Sequence, residues 1–319
     1  MCGIAGFVAD DPSAPVAQDL LKRMVGRLRD RGPDGEGYHA EPGVGLGHAR
    51  LSIIDIETGA QPLANEDRSV WVSFNGEIFN YVELRRLLEE RGHQFSTRSD
   101  TEVIVHLYEE YGDEFAHQLN GQFAIALWDR KRRRLLLVRD RPGILPLYFA
   151  RGKNGYLFSS EIKSLLPDLP SRPEVNSKAL QEVFTFWGPL GPDSLFAGVA
   201  SVRPGEMVSI ERGRVRRWQW WDWTFPTDGN FLGARNLGPS VDELAETLRE
   251  LLLDATRLRL RADVPVGAYL SGGLDSSAVA ALALEAGKED LRTFSVTFDD
   301  PGMDERVFQA QVQRHLQTQ

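Results

Sequence analysis

The chain of 319 residues has one cysteine, and it is the second residue, in Met1-Cys2-Gly3-Ile4-Ala5-Gly6. Removing a single methionine would make Cys2 the N-terminus, so that one residue carries both a thiol and a free α-amine. An α-amine titrates about two units below a lysine amine, so a useful fraction is unprotonated near neutral pH. It can take the thiol proton, directly or through a water, and later return it to a leaving amine. Nucleophile and base then sit in one residue. A lone cysteine in a short apolar run is equally what a small buried hydrophobe looks like, and position alone leaves both readings open.

Other groupings could serve such a nucleophile. Phe74-Asn75-Gly76-Glu77-Ile78 sets a side-chain amide beside a glycine N–H, the donors a tetrahedral oxyanion needs. Asn75-Gly76 is also the strongest short signal for a hairpin turn. Arg50 heads the run Leu51–Ile54, and Asp100 lies in Ser99-Asp100-Thr101-Glu102. Taken singly, Arg50 reads as a solubility residue and Asp100 as part of a helix cap. Brought to one thiol, an arginine and an acid would grip an α-amino acid by its carboxylate and its ammonium. Arg31-Gly32-Pro33-Asp34 reads first as a rigid structural turn.

The most specific segment is Ser271-Gly272-Gly273-Leu274-Asp275-Ser276-Ser277, after an apolar run and before a helical pattern. Backbone N–H groups, hydroxyls and a helix N-terminus together make an anion cradle. No lysine follows the glycines, so it is not a Walker A loop. A hydroxyl-rich loop suits pyrophosphate leaving as a unit, with Asp275 held for a divalent metal. The alternative is an ordinary glycine-rich helix cap.

The elements that must position these residues can be read from periodicity. Strand-like runs are Ile4–Val8, Val44–His48, Val70–Phe74, Phe123–Trp128, Leu135–Val138, Leu147–Ala150 and Tyr156–Ser159. Helical spacing appears at Pro15–Arg29, Tyr81–Arg91 and Thr101–Tyr111. Strands outnumber helices and are hairpin-connected, which predicts a mostly antiparallel α+β domain. The stretch 206–239 reads as a linker region, with Gly, Asn, Asp and Pro gathered at its end. Ser240-Val241-Asp242-Glu243 is a capping box, and its helix carries Val241, Leu244, Leu248, Leu251, Leu252, Ala255 and Leu258 on one face. A strand at Val264–Leu270, a helix to about Gly287, a strand at Thr293–Phe298 and a last helix from Asp304 predict a parallel α/β sheet.

Bulk composition narrows the class. Hydrophobic content of 42% is ordinary for a globular protein, and the net charge of −9 argues against nucleic acid as a partner. One cysteine excludes an internal disulfide and fits a reducing cytoplasm. No apolar run is long enough to span a bilayer. The basic run Arg130–Arg134 lies between two strand-like runs and reads as a solvated hairpin turn.

Six spaced motifs, collinear from residue 2 to about 300, closely resemble the glutamine-hydrolysing asparagine synthetases. They are Cys2-Gly3-Ile4, Arg31-Gly32-Pro33-Asp34, His48-Ala49-Arg50-Leu51, Phe74-Asn75-Gly76-Glu77, Ser160-Glu161-Ile162-Lys163 and Ser271–Ser277. The resemblance implies a class II, N-terminal-nucleophile glutamine amidotransferase domain over 2–205, an αββα sandwich. The N-terminal part of an ATP-pyrophosphatase domain follows over 240–319. It implies that Cys2 attacks the glutamine amide and that Asn75 and Gly76 form the oxyanion hole. Arg50 would bind the glutamine carboxylate, Glu77 and Asp100 its amine, and Leu51 and Ile54 would line the pocket. In the second domain Leu270 and Val296 would contact the adenosine of ATP, and Ser271, Gly272, Gly273, Asp275, Ser276 and Ser277 its phosphates, with Asp275 on magnesium. The reaction implied activates a carboxylate, usually aspartate, as an acyl-adenylate, which ammonia from Cys2 reaches through an internal tunnel.

Three departures from the family pattern stand out. Asp30 occupies a position where many members have His, and Leu145 one where many have Lys; an apolar residue there would suit a tunnel wall. The third is length, since members run well beyond Gln319, which predicts a ligase half too incomplete for amide synthesis alone. Other readings are the same chemistry on another carboxylate, or a glutaminase or scaffold subunit, a homodimer or one served by a partner chain.

Overall fold

The run Gly3–Ala9 is apolar on both sides and forms a buried strand, β1. The strands that join it are β2 (Gly35–Glu41), β3 (Val44–Arg50), β8 (Tyr148–Arg151), β9 (Gly155–Ser159) and β10 (Val199–Ser201). Together they make a six-stranded antiparallel sheet in the order β10-β8-β9-β1-β3-β2. A second antiparallel sheet contains β4 (Leu63–Ala64), β5 (Val70–Ile78), β6 (Gly121–Asp129), β7 (Arg134–Arg139), β11 (Glu206–Glu211) and β12 (Arg214–Gln219). Its order is β12-β11-β7-β6-β5-β4. This computed structural model describes residues 1–225 and 240–319. They divide into two units, Met1–Trp223 and Thr224–Gln319.

Strand alternation explains the layers of the first unit. Ile4, Leu46 and Phe158 of one sheet meet Trp128 and Leu137 of the other in a shared core. The opposite face of the first sheet, with Ala5, Phe7 and Ala49, packs against Leu21, Met24 and Val25 of α1 (Gln18–Gly26). The opposite face of the second, with Val72, Phe74 and Ile125, packs against α2 (Tyr81–Glu90) and α3 (Glu102–Tyr111) through Leu88, Val103 and Ile104. The result is the αββα sandwich. A further helix, α4, covers Ser177–Phe186.

The expected linker over 206–239 is corrected in its first part. Residues 206–219 are the hairpin β11–β12, whose Met207, Val208 and Ile210 are buried in the second sheet. The tight turn Glu211–Arg214 and the tryptophans around it hid the alternation. Trp220, just beyond the hairpin, is buried as well, and residues 226–239 of the expected linker lie outside the described residues. The basic run does form the β6–β7 turn, where Lys131 pairs with Asp67 at 2.8 Å and Arg130 with Glu41 at 3.1 Å.

In the second unit α5 (Val241–Arg259) begins with the capping box at Ser240 and Glu243. Strands β13 (Gly267–Tyr269) and β14 (Arg292–Phe294) pair in parallel, joined by α6 (Leu274–Glu285), with α7 (Arg306–Leu316) following. Leu270, Ala280, Ala283 and Leu291 form its buried core. The apolar face expected for α5 does not face that core: Val241, Leu244, Leu248, Leu251 and Leu252 are exposed, and Leu253 is buried instead. Among the described residues no helix is long and apolar enough to cross a membrane.

Candidate active site

Cys2 immediately precedes β1, and the register of β1 on β3 (Gly3 opposite Ala49) sets it against the segment after Arg50. Its Sγ accepts a hydrogen bond from the Leu51 N–H at 3.3 Å and lies 3.4 Å from the Leu51 carbonyl, to which the thiol can donate. Arg31 Nε donates to the Cys2 carbonyl at 2.8 Å. The neighbouring Ile4 N–H donates to Ser160 Oγ at 3.0 Å. Arg31 also pairs with Glu161 at 3.3 Å. The Arg31–Asp34 motif, which reads as a structural turn in the sequence, therefore holds the backbone of Cys2, and the Ser160–Lys163 motif holds the start of β1 behind it.

Burial pushes the Cys2 thiol above its ordinary value, against the opposing pull of the Leu51 N–H. The resting sulfur is a thiol, so attack requires a base. Among the described residues no histidine or lysine lines the cleft at Cys2, whose lining includes Met1, Leu51, Ile54, Asn75, Glu77 and Asp100. The α-amine of Met1 is pushed down, chiefly by burial. An amine passed to Cys2 on removal of Met1 would be the nearest nitrogen base.

Asn75 and Gly76 are not in a turn. They lie inside the nine-residue strand β5 and pair with Ala124 and Phe123 of β6. The hairpin reading of Asn-Gly fails because the strand continues through Gly76 to Ile78. The Asn75 side chain is buried, and neither its Nδ2 nor its Oδ1 has a hydrogen-bond partner. A buried amide left so costs about 1–3 kcal/mol, and this one lines the cleft with Cys2. Gly76 is required by close approach: a Cβ there would lie 2.1 Å from the Gln122 carbonyl oxygen and 2.8 Å from Phe123 Cα. Gly76→Ala is accordingly expected to prise β5 from β6 and cost about 1–3 kcal/mol. Thermal unfolding of the variant measures it.

Phe74, just before Asn75, is held by two side chains. Its N–H donates to Gln61 Oε1 at 2.7 Å, and its carbonyl accepts from His48 Nε2 at 3.1 Å. Burial lowers His48 to about 3, so the ring is neutral and this bond fixes the proton on Nε2. Gln61 Nε2 in turn donates to Thr101 Oγ1 at 3.1 Å. Sequence reasoning missed Gln61 altogether and quoted His48 without a role.

Glu77 and Asp100 face the same cleft. Asp100 is fully buried and its carboxyl is raised to about 7, first by burial and then by the charge of Glu77. The Ile78 N–H, donating to Asp100 Oδ2 at 2.9 Å, pulls the other way. Leu51, Ile54 and Leu145 also line the cleft. Arg50 is not among the lining residues. Its guanidinium donates to the carbonyls of Asp55 at 2.5 Å and Ile56 at 3.1 Å, on the turn that follows.

In the second unit the helix starts earlier than the sequence implied, so Leu274–Ser277 form the first turn of α6. Gly273 caps it without any side-chain hydrogen bond, leaving the N-terminal N–H groups of the turn open. Ser271 Oγ and Ser276 Oγ are 2.9 Å apart, and Ser277 Oγ donates to the Gly273 carbonyl at 2.7 Å. Gly272 has φ +87°, and a Cβ there would strike Phe308 Cβ at 2.7 Å. Leu270 is buried; its N–H donates to the Phe294 carbonyl at 2.8 Å and its carbonyl accepts from Ser295 Oγ at 2.7 Å. Val296 is exposed, its carbonyl accepting from Gln309 Nε2 at 3.0 Å, and Asp275 is exposed in the first turn. A helix start without a side-chain cap, beside adjacent hydroxyls, fits a phosphate chain, and the Asp275 carboxylate would meet it only through a bridging cation.

Residues 1–221 match the family model of the glutamine amidotransferase domain, and residues 247–319 that of asparagine synthase. The chain belongs to the glutamine-hydrolysing asparagine synthetase family. It is 40% identical over 309 residues to asparagine synthetase [glutamine-hydrolyzing] 1 of Bacillus subtilis, across 96% of this chain and 47% of that protein. The asparagine synthetase of Zea mays is 39% identical over 284 residues, 89% of this chain and 42% of that protein. An amidase, chry2, of Gibberella zeae is 38% identical over 295 residues, 88% and 42% respectively. The chain spans about half the length of the curated relatives it matches. The fold is shared with a solved glutamine phosphoribosylpyrophosphate amidotransferase from B. subtilis, with TM-score 0.50 and 17% identity over 92% of this chain and 65% of that one. The first unit of this asparagine synthetase family member is thus a glutamine amidotransferase domain.

Proposed function

We propose that Cys2, once N-terminal, hydrolyses glutamine to glutamate and ammonia. The observation that carries this reading is the convergence on one cleft of the Cys2 thiol, an unpartnered buried Asn75 amide and the carboxyls of Glu77 and Asp100. The α-amine removes the thiol proton, and Sγ attacks the carbon of the glutamine side-chain amide. The resulting oxyanion takes hydrogen bonds from Asn75 Nδ2 and the Gly76 N–H. The same amine returns the proton to the leaving nitrogen, and ammonia departs as a thioester forms. Water then cleaves the thioester, giving glutamate and free thiol. Arg50, whose charge already acts on Cys2, would exchange the carbonyls of its own turn for the substrate carboxylate, and Asp100 with Glu77 would hold the ammonium.

In the second unit Ser271, Gly272, Gly273, Ser276 and Ser277 would hold the phosphates of ATP, and Asp275 magnesium. Bound there, ATP would supply activation of a carboxylate, with release of pyrophosphate. Aspartate is the acceptor we favour, from the names of the asparagine synthetase relatives. A different acceptor is the second reading, favoured by the amidase among them. Product mass with each carboxylate, ammonia and ATP decides between the two: an aspartate-dependent asparagine peak supports the first, and its absence alongside another amide supports the second. Stoichiometric pyrophosphate would show the ATP site working in this chain.

Asp100 also predicts a pH dependence. Its carboxyl, near 7 in the free protein, must be ionised to hold an ammonium. The KM for glutamine should therefore rise as pH falls below about 7, while Asp100→Asn should show a raised KM with a flattened profile. The stability effect has the opposite sense. The folded value lies above the ordinary 3.8, so the native state binds the extra proton between those limits. Stability contributed by the neutral carboxyl is full below 3.8 and lost as pH rises to about 7. At pH 8 Asp100→Asn should thus melt higher than the parent, which calorimetry would register.

A further inference from the structure

We propose that Glu66, His93, His106 and Glu109 form a binding site for a divalent transition-metal ion, with zinc the best-fitting occupant. The site lies in the first unit, apart from the residues lining the Cys2 cleft, and does not depend on the glutaminase reading. Glu66 is in the turn between β4 and β5, and His93 in the loop after α2. His106 and Glu109 are one turn apart on α3. One ligand atom from each lies within 4.8 Å of all the others. His106 Nδ1 is 3.2 Å from Glu109 Oε2 and 3.6 Å from Glu66 Oε2. His93 Nδ1 is 3.7 Å from Glu109 Oε2 and from Glu66 Oε1. Nitrogen and oxygen ligands around tetrahedral zinc, at ~2.0–2.1 Å from the ion, stand about 3.3 Å from one another. Modest contraction of this quartet therefore encloses an ion.

His93, Glu109 and Glu66 also have hydrogen-bond partners around the cluster of the kind that orients metal ligands. A ligating histidine normally donates its second ring N–H to a carboxylate or carbonyl, which fixes the tautomer that leaves the other nitrogen free to ligate. His93 Nε2 is 3.1 Å from Glu110 Oε1, so its Nδ1 is the inward atom. The second oxygen of Glu109 accepts from Asn65 Nδ2 at 2.6 Å, and Glu66 Oε1 accepts from the Gln94 N–H at 2.9 Å. His106 is fully buried and its Nε2 has no hydrogen-bond partner, Glu102 Oε1 standing 4.0 Å away, within reach of a small shift of the ring. Glu66 and Glu109 are part-exposed, which gives an ion a way in. Two imidazoles with two carboxylates select zinc, cobalt or nickel over magnesium and calcium, which prefer all-oxygen sets. The pattern is not a recognisable spacing motif, because its members come from three elements. An ion there would tie the β4–β5 turn and the loop after α2 to α3, the helix that Asp100 and Thr101 precede.

The test is titration of the chelator-treated full chain with zinc by calorimetry, and with cobalt by visible absorption. Cys2→Ala protein serves as the parent, so that the thiol cannot supply a ligand. One equivalent of zinc should bind, cobalt should give the intense bands of a four-coordinate site, and excess magnesium should not compete. His93→Ala and Glu66→Gln, both outside the buried core, should each weaken binding at least about tenfold. Glu110→Gln should weaken it about 10- to 100-fold through loss of the outer hydrogen bond. No saturable zinc binding by the parent would overturn the proposal. So would binding unchanged in folded His93→Ala and Glu66→Gln proteins.

Discussion

Cys2→Ala is expected to abolish glutamate release, by at least about 10⁴-fold in kcat, the scale on which removal of a covalent nucleophile acts. The loss should leave the fold intact. The Sγ contacts recorded are two long bonds to the Leu51 backbone, and the strand that follows is held by Ser160 and Arg31 rather than by sulfur. Melting temperature should therefore stay near that of the parent. A second comparison separates the thiol from its base. Protein that keeps Met1 still has the thiol, but the free amine is then one residue away. If the amine of Cys2 is the base, Met1-retaining protein should be almost as inactive as Cys2→Ala. Full activity with Met1 in place would remove the amine from the mechanism and leave the thiol its role.

The second large effect is expected at Asn75. Asn75→Ala should lower kcat about 10²- to 10³-fold with KM little changed, because a donor to the oxyanion acts in the transition state and not on bound glutamine. Stability separates this role from a structural one. The buried amide has no partner for either polar atom, so truncation removes an unsatisfied group rather than a bond. The variant should melt close to the parent, offset only by a small cavity. A collapse in stability would show the amide bonded within the fold, and a raised KM at unchanged kcat would make Asn75 a substrate-binding group instead.

Much of the first unit was legible because its strands are short apolar runs closed by turns. Gly3–Ala9, Val70–Ile78 and Gly121–Asp129 each contain the run picked out from the sequence. The hairpin β11–β12 was not legible, since exposed Arg214 and Arg216 interrupt the apolar pattern of its second strand and its turn residues resemble those of a linker. Asn75-Gly76 misled for a different reason. The same dipeptide serves as a turn where the chain reverses, or as a close strand contact where a neighbour lies within reach. The deciding fact is that Gly76 pairs with Phe123, a partner distant in sequence. The grip on Phe74 by His48 and Gln61 spans 26 and 13 residues, and no local pattern announces it. Arg50 was noticed for its charge, yet its nearest acceptors are carbonyls five and six residues on. In the second unit helix periodicity located α5 but could not tell which of its leucines are buried.

The most direct test of the central claim is glutamate release from glutamine alone, without ATP or an acceptor, by protein whose mass shows that it begins at Cys2. Steady turnover, lost when Cys2 is alkylated, is the result this account predicts. No glutamate from such protein, with the αββα unit verified as folded, would contradict it.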